Sequence, residues 1–97
     1  MKKKKKGYIY ILTNKGRSVF YTGVTVDLKD RIRRHRQGDG SQFTAKYNCR
    51  YLIYIEEHAT ILKAIEREKQ LKNWNRSWKL ELIRKINPQL RDLWFEL

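Results

Sequence analysis

The sequence predicts an α/β chain of the α+β kind: a small, mainly antiparallel three-stranded sheet flanked by helices, in the order β-β-α-β-α-α. Three observations predict it. Two short stretches rich in Tyr, Ile, Val, Phe and Thr flank a turn, a third apolar run of strand length follows a helical segment, and the second half of the chain carries apolar residues at helical spacing behind capping residues. Ninety-seven residues, 40% of them hydrophobic, make one domain over 7–97, preceded by a basic flexible arm over 1–6. That length lies near the lower end of what buries a core without staples.

Lys2–Lys6 is an uninterrupted charge run. Gly7–Thr13 and Ser18–Val24 read as a β-hairpin, because Asn14-Lys15-Gly16 between them has turn chemistry. Asp27 offers an N-cap to a helix over Leu28–Gln37, which Gly38 and Gly40 end. Gly38–Tyr47 is polar and loop-like, with room for a short helical piece. Tyr51–Ile55 is an apolar run of strand length and reads as a buried strand. Thr60 caps a helix reaching Trp74, and Asn75 or Ser77 caps another ending near Ile86. Pro88 stops it, since a proline disfavours helical backbone in the residue before it. Leu90, Leu93, Trp94 and Leu97 recur at helical spacing, so the tail is expected to pack back on the body. Trp78 aligns with Leu82 and Ile86, which places the tryptophans in the core.

Charge is the strongest global signal. Twenty-three Lys and Arg against ten Asp and Glu give a formal net charge of +13, and the pI is near 10.1. Such a field attracts polyanions, because each phosphate neutralised releases counterions. Nucleic acid is therefore the expected partner. Cys49 is the only cysteine, which excludes an intrachain disulfide and a cysteine-based zinc site. No apolar run approaches membrane-spanning length, and Gly7–Leu12 is too short and too rich in tyrosine for the apolar region of a signal peptide. A cytoplasmic monomer is the expectation.

Two predicted helices carry polar residues where apolar ones belong. In the helix from Thr60, residues Ile61, Leu62, Ala64, Ile65 and Leu71 define an apolar face; Glu68 falls within roughly 15° of its centre, whereas Glu66 points the other way. A carboxylate there is costly unless it is paired or holds a cation. Both options stand: a buried ion pair, or one hydrated Mg²⁺, which needs few protein carboxylates. On the first helix, Arg31 and His35 are four residues apart and share a strip beside the side anchored by Leu28 and Ile32. Tyr8 and Tyr10 point the same way on the first strand, because side chains alternate, and Tyr21 lies on the second. Each of these could be mere packing. Arg33, Arg34 and Arg36, with Lys15, Lys46, Lys72 and Arg76, are the candidate nucleic-acid contacts.

Taken in order, Tyr8-Ile9-Tyr10, Tyr21-Thr22-Gly23, Asp27-Leu28 leading to Arg31 and His35, Glu68 within Ile65-Glu66-Arg67-Glu68, and Asn87 after the last long helix resemble the GIY-YIG nuclease signature. Eleven positions separate Tyr10 from Tyr21, and ten more lead to Arg31. The chain is similar to the stand-alone, single-domain branch of the GIY-YIG nuclease superfamily, which is related to the N-terminal domain of a bacterial excinuclease. The resemblance implies catalytic roles for Tyr10, Tyr21, Arg31, His35, Glu68 and Asn87, with Asn73 and Asn75 as rivals for the last. It implies one Mg²⁺ or Mn²⁺ ion on Glu68. The implied activity is metal-dependent hydrolysis of DNA, branched or damaged DNA included, leaving a 5′-phosphate and a 3′-hydroxyl. The chain departs from the pattern in three places: Tyr-Ile-Tyr replaces Gly-Ile-Tyr, with the glycine displaced to Gly7; Thr22 replaces an isoleucine; and Asp30 stands where relatives can carry lysine. One alternative reading is a catalytically silent basic nucleic-acid-binding domain. Another is a basic protein that docks on an acidic partner through Trp74, Trp78 and Trp94.

Overall fold

Strand β1 (Gly7–Thr13) is buried along almost its whole length, because both of its faces are covered. It is the central strand of a three-stranded sheet ordered β2-β1-β3, with β2 (Phe20–Thr25) and β3 (Tyr51–His58) both antiparallel to it. Ile9, Ile11, Ile53, Ala64, Leu71 and Ile83 form one core on one side. Tyr10, Leu12, Ile32 and Leu52 form the other. Helix α1 (Leu28–Arg36) belongs to the second core through Ile32, while α3 (Ile61–Lys72) and α4 (Arg76–Ile86) belong to the first. The computed structural model describes residues 5–97. Most of the basic arm expected over 1–6 therefore lies outside the described residues; Lys6 reaches Glu57 at 3.4 Å.

The expected elements are present, with shifted bounds. Asp27 caps α1, its carboxylate accepting from Asp30 N at 3.2 Å; Thr60 caps α3, and Asn75, not Ser77, caps α4. The hairpin loop is longer than Asn14–Gly16. Asn14 Oδ1 accepts from the backbone N–H of Ser18 and Val19, so β2 cannot begin before Phe20. The short helical piece is α2 (Gln42–Lys46), capped by Ser41.

Strand β3 continues past Ile55 through polar Glu56, Glu57 and His58. Glu56 tolerates partial burial because Tyr54 Oη, His58 Nε2 and Arg67 Nε surround it at 2.5, 2.6 and 2.9 Å. Burial pushes its pKa up, but these three hydrogen bonds outweigh that and hold it low. The register breaks between Ile11 and Leu12, which pair with Tyr54 and Leu52, so Ile53 is a bulge. Neighbours Ile53 and Tyr54 consequently both join the first core.

Three expectations about apolar residues need correction. Trp78 is 55% exposed and Ile86 66%, so the two ends of the stripe face outward, while Leu82 between them is half-buried against the first core. Leu62 is 71% exposed and takes no part in the buried face of α3. Helical spacing alone does not say whether another element exists on that side. The tail, finally, forms only a 3₁₀ turn at Trp94–Glu96, although Leu90 and Leu93 are buried as expected. Asp92 holds it there: its Oδ1 accepts from the backbone N–H of Leu52 and Trp94, both at 3.1 Å, while Leu93 N donates to Leu52 O at 2.7 Å. The tail thus pairs with the outer edge of β3, which would otherwise expose unpaired backbone groups.

Candidate active site

Side chains from three elements meet at Tyr10. Its ring lies across β2 at Gly23, its register partner, so closely that a Cβ there would sit 2.3 Å from the phenol. The glycine is required by this approach. The Tyr10 hydroxyl is then held from α1: Arg31 Nε donates to it at 3.3 Å, and His35 Nε2 lies 2.9 Å away. Burial, less the opposing hydrogen bond from Arg31, pushes the Tyr10 pKa up to about 12. The same hydrogen bond stabilises the Arg31 cation further. Tyr21, on β2, completes the group with its ring centroid 6.3 Å from Tyr10 and 5.6 Å from His35.

The protonation of His35 follows from its surroundings. Burial first, and then the Arg31 charge, lower its pKa to about 4, so the imidazole is neutral near neutrality. Its Nδ1 lies 3.0 Å from Thr44 Oγ1. Thr44 Oγ1 has Ser41 O at 3.2 Å and Ser41 Oγ at 2.8 Å as its own partners. Tyr10 already accepts from Arg31 Nε, and among the described residues His35 Nε2 is the one acceptor its hydroxyl can reach. The proton of the neutral ring therefore sits on Nδ1 and is given to Thr44. Nε2 is left bare to accept from Tyr10. Gly40 closes over this ring, since a Cβ at Gly40 would fall 1.9 Å from His35 Nδ1. Ser41, Thr44 and Gly40 escaped the sequence reading. The signal was present in Ser41 and Thr44, three residues apart as a helix cap and its first free N–H are, at 3.1 Å.

Glu68 lies on α3, half-buried, with its side chain 17% exposed. Its charge reaches Tyr10, where it adds to the raised phenol pKa. Its one ion-pair partner among the described residues is Lys72, at 3.4 Å and 52% exposed, an i,i+4 pair of small worth. Among the described residues no three His, Cys, Asp or Glu gather as a metal cluster. This donor set, one weakly engaged carboxylate in a partly dry setting, does not fit zinc. It fits one hard cation that keeps most of its waters.

Asn87 stands apart from the Tyr10 group in its hydrogen bonding. It is buried, and its amide is committed elsewhere: Nδ2 donates to Ile53 O at 3.0 Å and to Arg91 O at 2.8 Å, while Oδ1 accepts from Arg91 N at 3.1 Å. Among the described residues no hydrogen bond links it to Tyr10, Arg31, His35 or Glu68. It satisfies the carbonyl of the bulge residue and fastens the tail. Its rival Asn75 is the α4 cap, and Asn73 ends α3.

The expected nucleic-acid contacts separate into two groups. Arg36 is used internally, bound to Asp92 Oδ2 at 2.7 Å and stacked 5.2 Å from the Trp94 ring centroid. Arg76 is too, bound to Ser18 O and Arg17 O at 2.7 and 2.8 Å and stacked over Phe20. Both brace the fold through part of their donors, Arg36 half-buried and Arg76 exposed. Lys15, Arg33, Arg34, Lys46 and Lys72 are exposed. Asp30, which departs from the family pattern, pairs with Arg33 and Arg34 and trims their charge. Thr22, the other departure, is buried with its hydroxyl unpartnered among the described residues, for which we have no physical account.

Comparison with known proteins shows the family. A UPF0213 protein of Staphylococcus saprophyticus is 38% identical over 78 residues, covering 80% of this chain and 94% of its own. A UPF0213 protein of Staphylococcus aureus strain N315 is 32% identical over 77 residues, covering 79% and 93%. Neither name states an activity. No solved structure matches the chain. The model of the GIY-YIG catalytic domain matches residues 6–81, a span that holds Tyr10, Tyr21, Arg31, His35 and Glu68 and ends before Asn87. On that match the chain belongs to the GIY-YIG catalytic domain family, a nuclease superfamily.

Proposed function

We propose that this chain is an endonuclease that uses one Mg²⁺ or Mn²⁺ ion on Glu68 to hydrolyse DNA phosphodiester bonds, leaving a 5′-phosphate and a 3′-hydroxyl. The observation that supports it best is the Tyr10 oxygen, fixed between the Arg31 guanidinium and the bare Nε2 of His35, within reach of the Glu68 charge. When bound, such an ion supplies positive charge to a non-bridging phosphate oxygen and to the leaving oxygen. Arg31 adds a fixed cation for the phosphate. Tyr10, its hydroxyl held by Arg31 and the neutral His35, orients the attacking water. A phenol with a pKa near 12 stays protonated near neutrality, so Tyr10 acts by position and not as a free phenolate. Tyr21 closes the aromatic wall behind the reacting group.

The test uses purified protein and its Glu68→Ala variant on end-labelled linear and branched DNA, with Mg²⁺ or Mn²⁺ and with chelator. Cleavage is expected only for the wild type with metal, while the variant still binds DNA. Cutting that survives both the chelator and the substitution overturns the proposal.

A further inference from the structure

Helix α2 and its C-cap residue carry two aromatic rings, Phe43 and Tyr47, that neither core uses. Phe43 is 41% exposed and Tyr47 40%. They are not isolated. The Phe43 ring centroid lies 5.7 Å from Tyr21 and 4.8 Å from Tyr47, and Tyr21 lies 5.6 Å from His35. A continuous row of rings thus leads from the Tyr10 centre to open solvent, with the Lys46 ammonium 5.3 Å from the last centroid. In a chain of net charge +13, the occupant of such a row is expected to be anionic.

We propose that Phe43 and Tyr47 are a stacking platform for the bases of an unpaired nucleic-acid strand, with Lys46 meeting its backbone. Its direction toward the catalytic group rests on the nuclease reading. A duplex hides the faces of its bases inside the stack and shows only their edges. A single strand offers those faces, and stacking on aromatic side chains tolerates any sequence because every base has one. Exposed rings beside a basic residue match the second substrate. The platform also explains why α2 and its C-cap keep two large apolar side chains in water while the helix's buried residue, Thr44, serves His35.

The experiment measures binding by the full chain in chelator, so that cleavage plays no part. The probes are fluorescent deoxyuridylate and uridylate oligomers of about twelve nucleotides, within the usual single-strand site range, and a blunt duplex of equal length. Wild type should bind an oligomer more tightly than the duplex. Tyr47→Ala should weaken oligomer binding about tenfold and duplex binding by less than about twofold. Tyr47→Phe, which keeps the ring, should behave as wild type. Phe43→Ala should lose as much, but Tyr47→Ala decides, because its exposed ring leaves the core untouched. The tighter oligomer identifies the preferred sugar, and either one supports the platform. Unchanged oligomer affinity in Tyr47→Ala, or equal losses on oligomer and duplex, overturns it. Should the chain cut nothing under any metal while this discrimination holds, the nuclease reading fails and the platform stands.

Discussion

His35 shows how much chemistry one buried side chain can have imposed on it. Nothing about its own ring chooses a tautomer; its partners do, Tyr10 by donating to Nε2 and Thr44 by accepting from Nδ1. Its lowered pKa also ties stability to pH. The ring takes a proton near 6.5 when unfolded but only near 4 when folded. As pH falls from about 6.5 toward 4, the unfolded chain therefore binds more protons, and stability falls across that window. Thermal melts at several pH values should show the loss, and the slope should flatten in His35→Gln. An unchanged slope would mean the ring is not neutral in the fold. Histidine at this position was legible in the sequence, four residues beyond Arg31. Its loop partners were not, because a polar loop gives no periodic signal and Thr44 becomes informative only once the chain has folded over the ring.

At the scale of elements, most of the fold was legible. Turn residues, Asp27, Thr60 and the apolar run at Tyr51 each act locally, and local rules place them well. The failures are long-range. Trp78 and Ile86 lie outward, Trp78 meeting the Trp74 ring edge-on at 6.0 Å between centroids, which no spacing within one helix reveals. An ordered signature puts Asn87 in the catalytic group, yet its hydrogen bonds join a β-bulge to the tail. Asn87→Ala should leave two buried carbonyls short of a donor, costing roughly 1–3 kcal/mol. The midpoint of thermal unfolding should fall by about 5 °C or more, while turnover well below it stays near wild type. A loss of turnover with an unchanged midpoint would return Asn87 to the site.

For the whole molecule, charge governs encounter more than chemistry. Lys15, Arg33, Arg34, Lys46 and Lys72 are exposed without a bond to a distant backbone carbonyl, whereas Arg36, half-buried, and Arg76, exposed, also tie segments of the fold together. Affinity for nucleic acid should fall steeply with salt, by roughly 0.9 log units per tenfold salt for each duplex phosphate neutralised, and about 0.7 for a single strand. Titrations at several salt concentrations read that slope. Arg36→Gln should lower the melting temperature and leave the slope unchanged, whereas Lys46→Gln should do the reverse; exchanged outcomes would refute this division of labour.

The seam between the tail and β3 has a practical consequence. Recognisable family sequence stops at residue 81, inside α4. A fragment cut there would retain every member of the Tyr10 cluster but lose the donors that close Leu52 and Ile53. Its bared flank would invite strand pairing between copies and precipitation. A fragment that stays dispersed is therefore expected to extend beyond the matched span, through the tail.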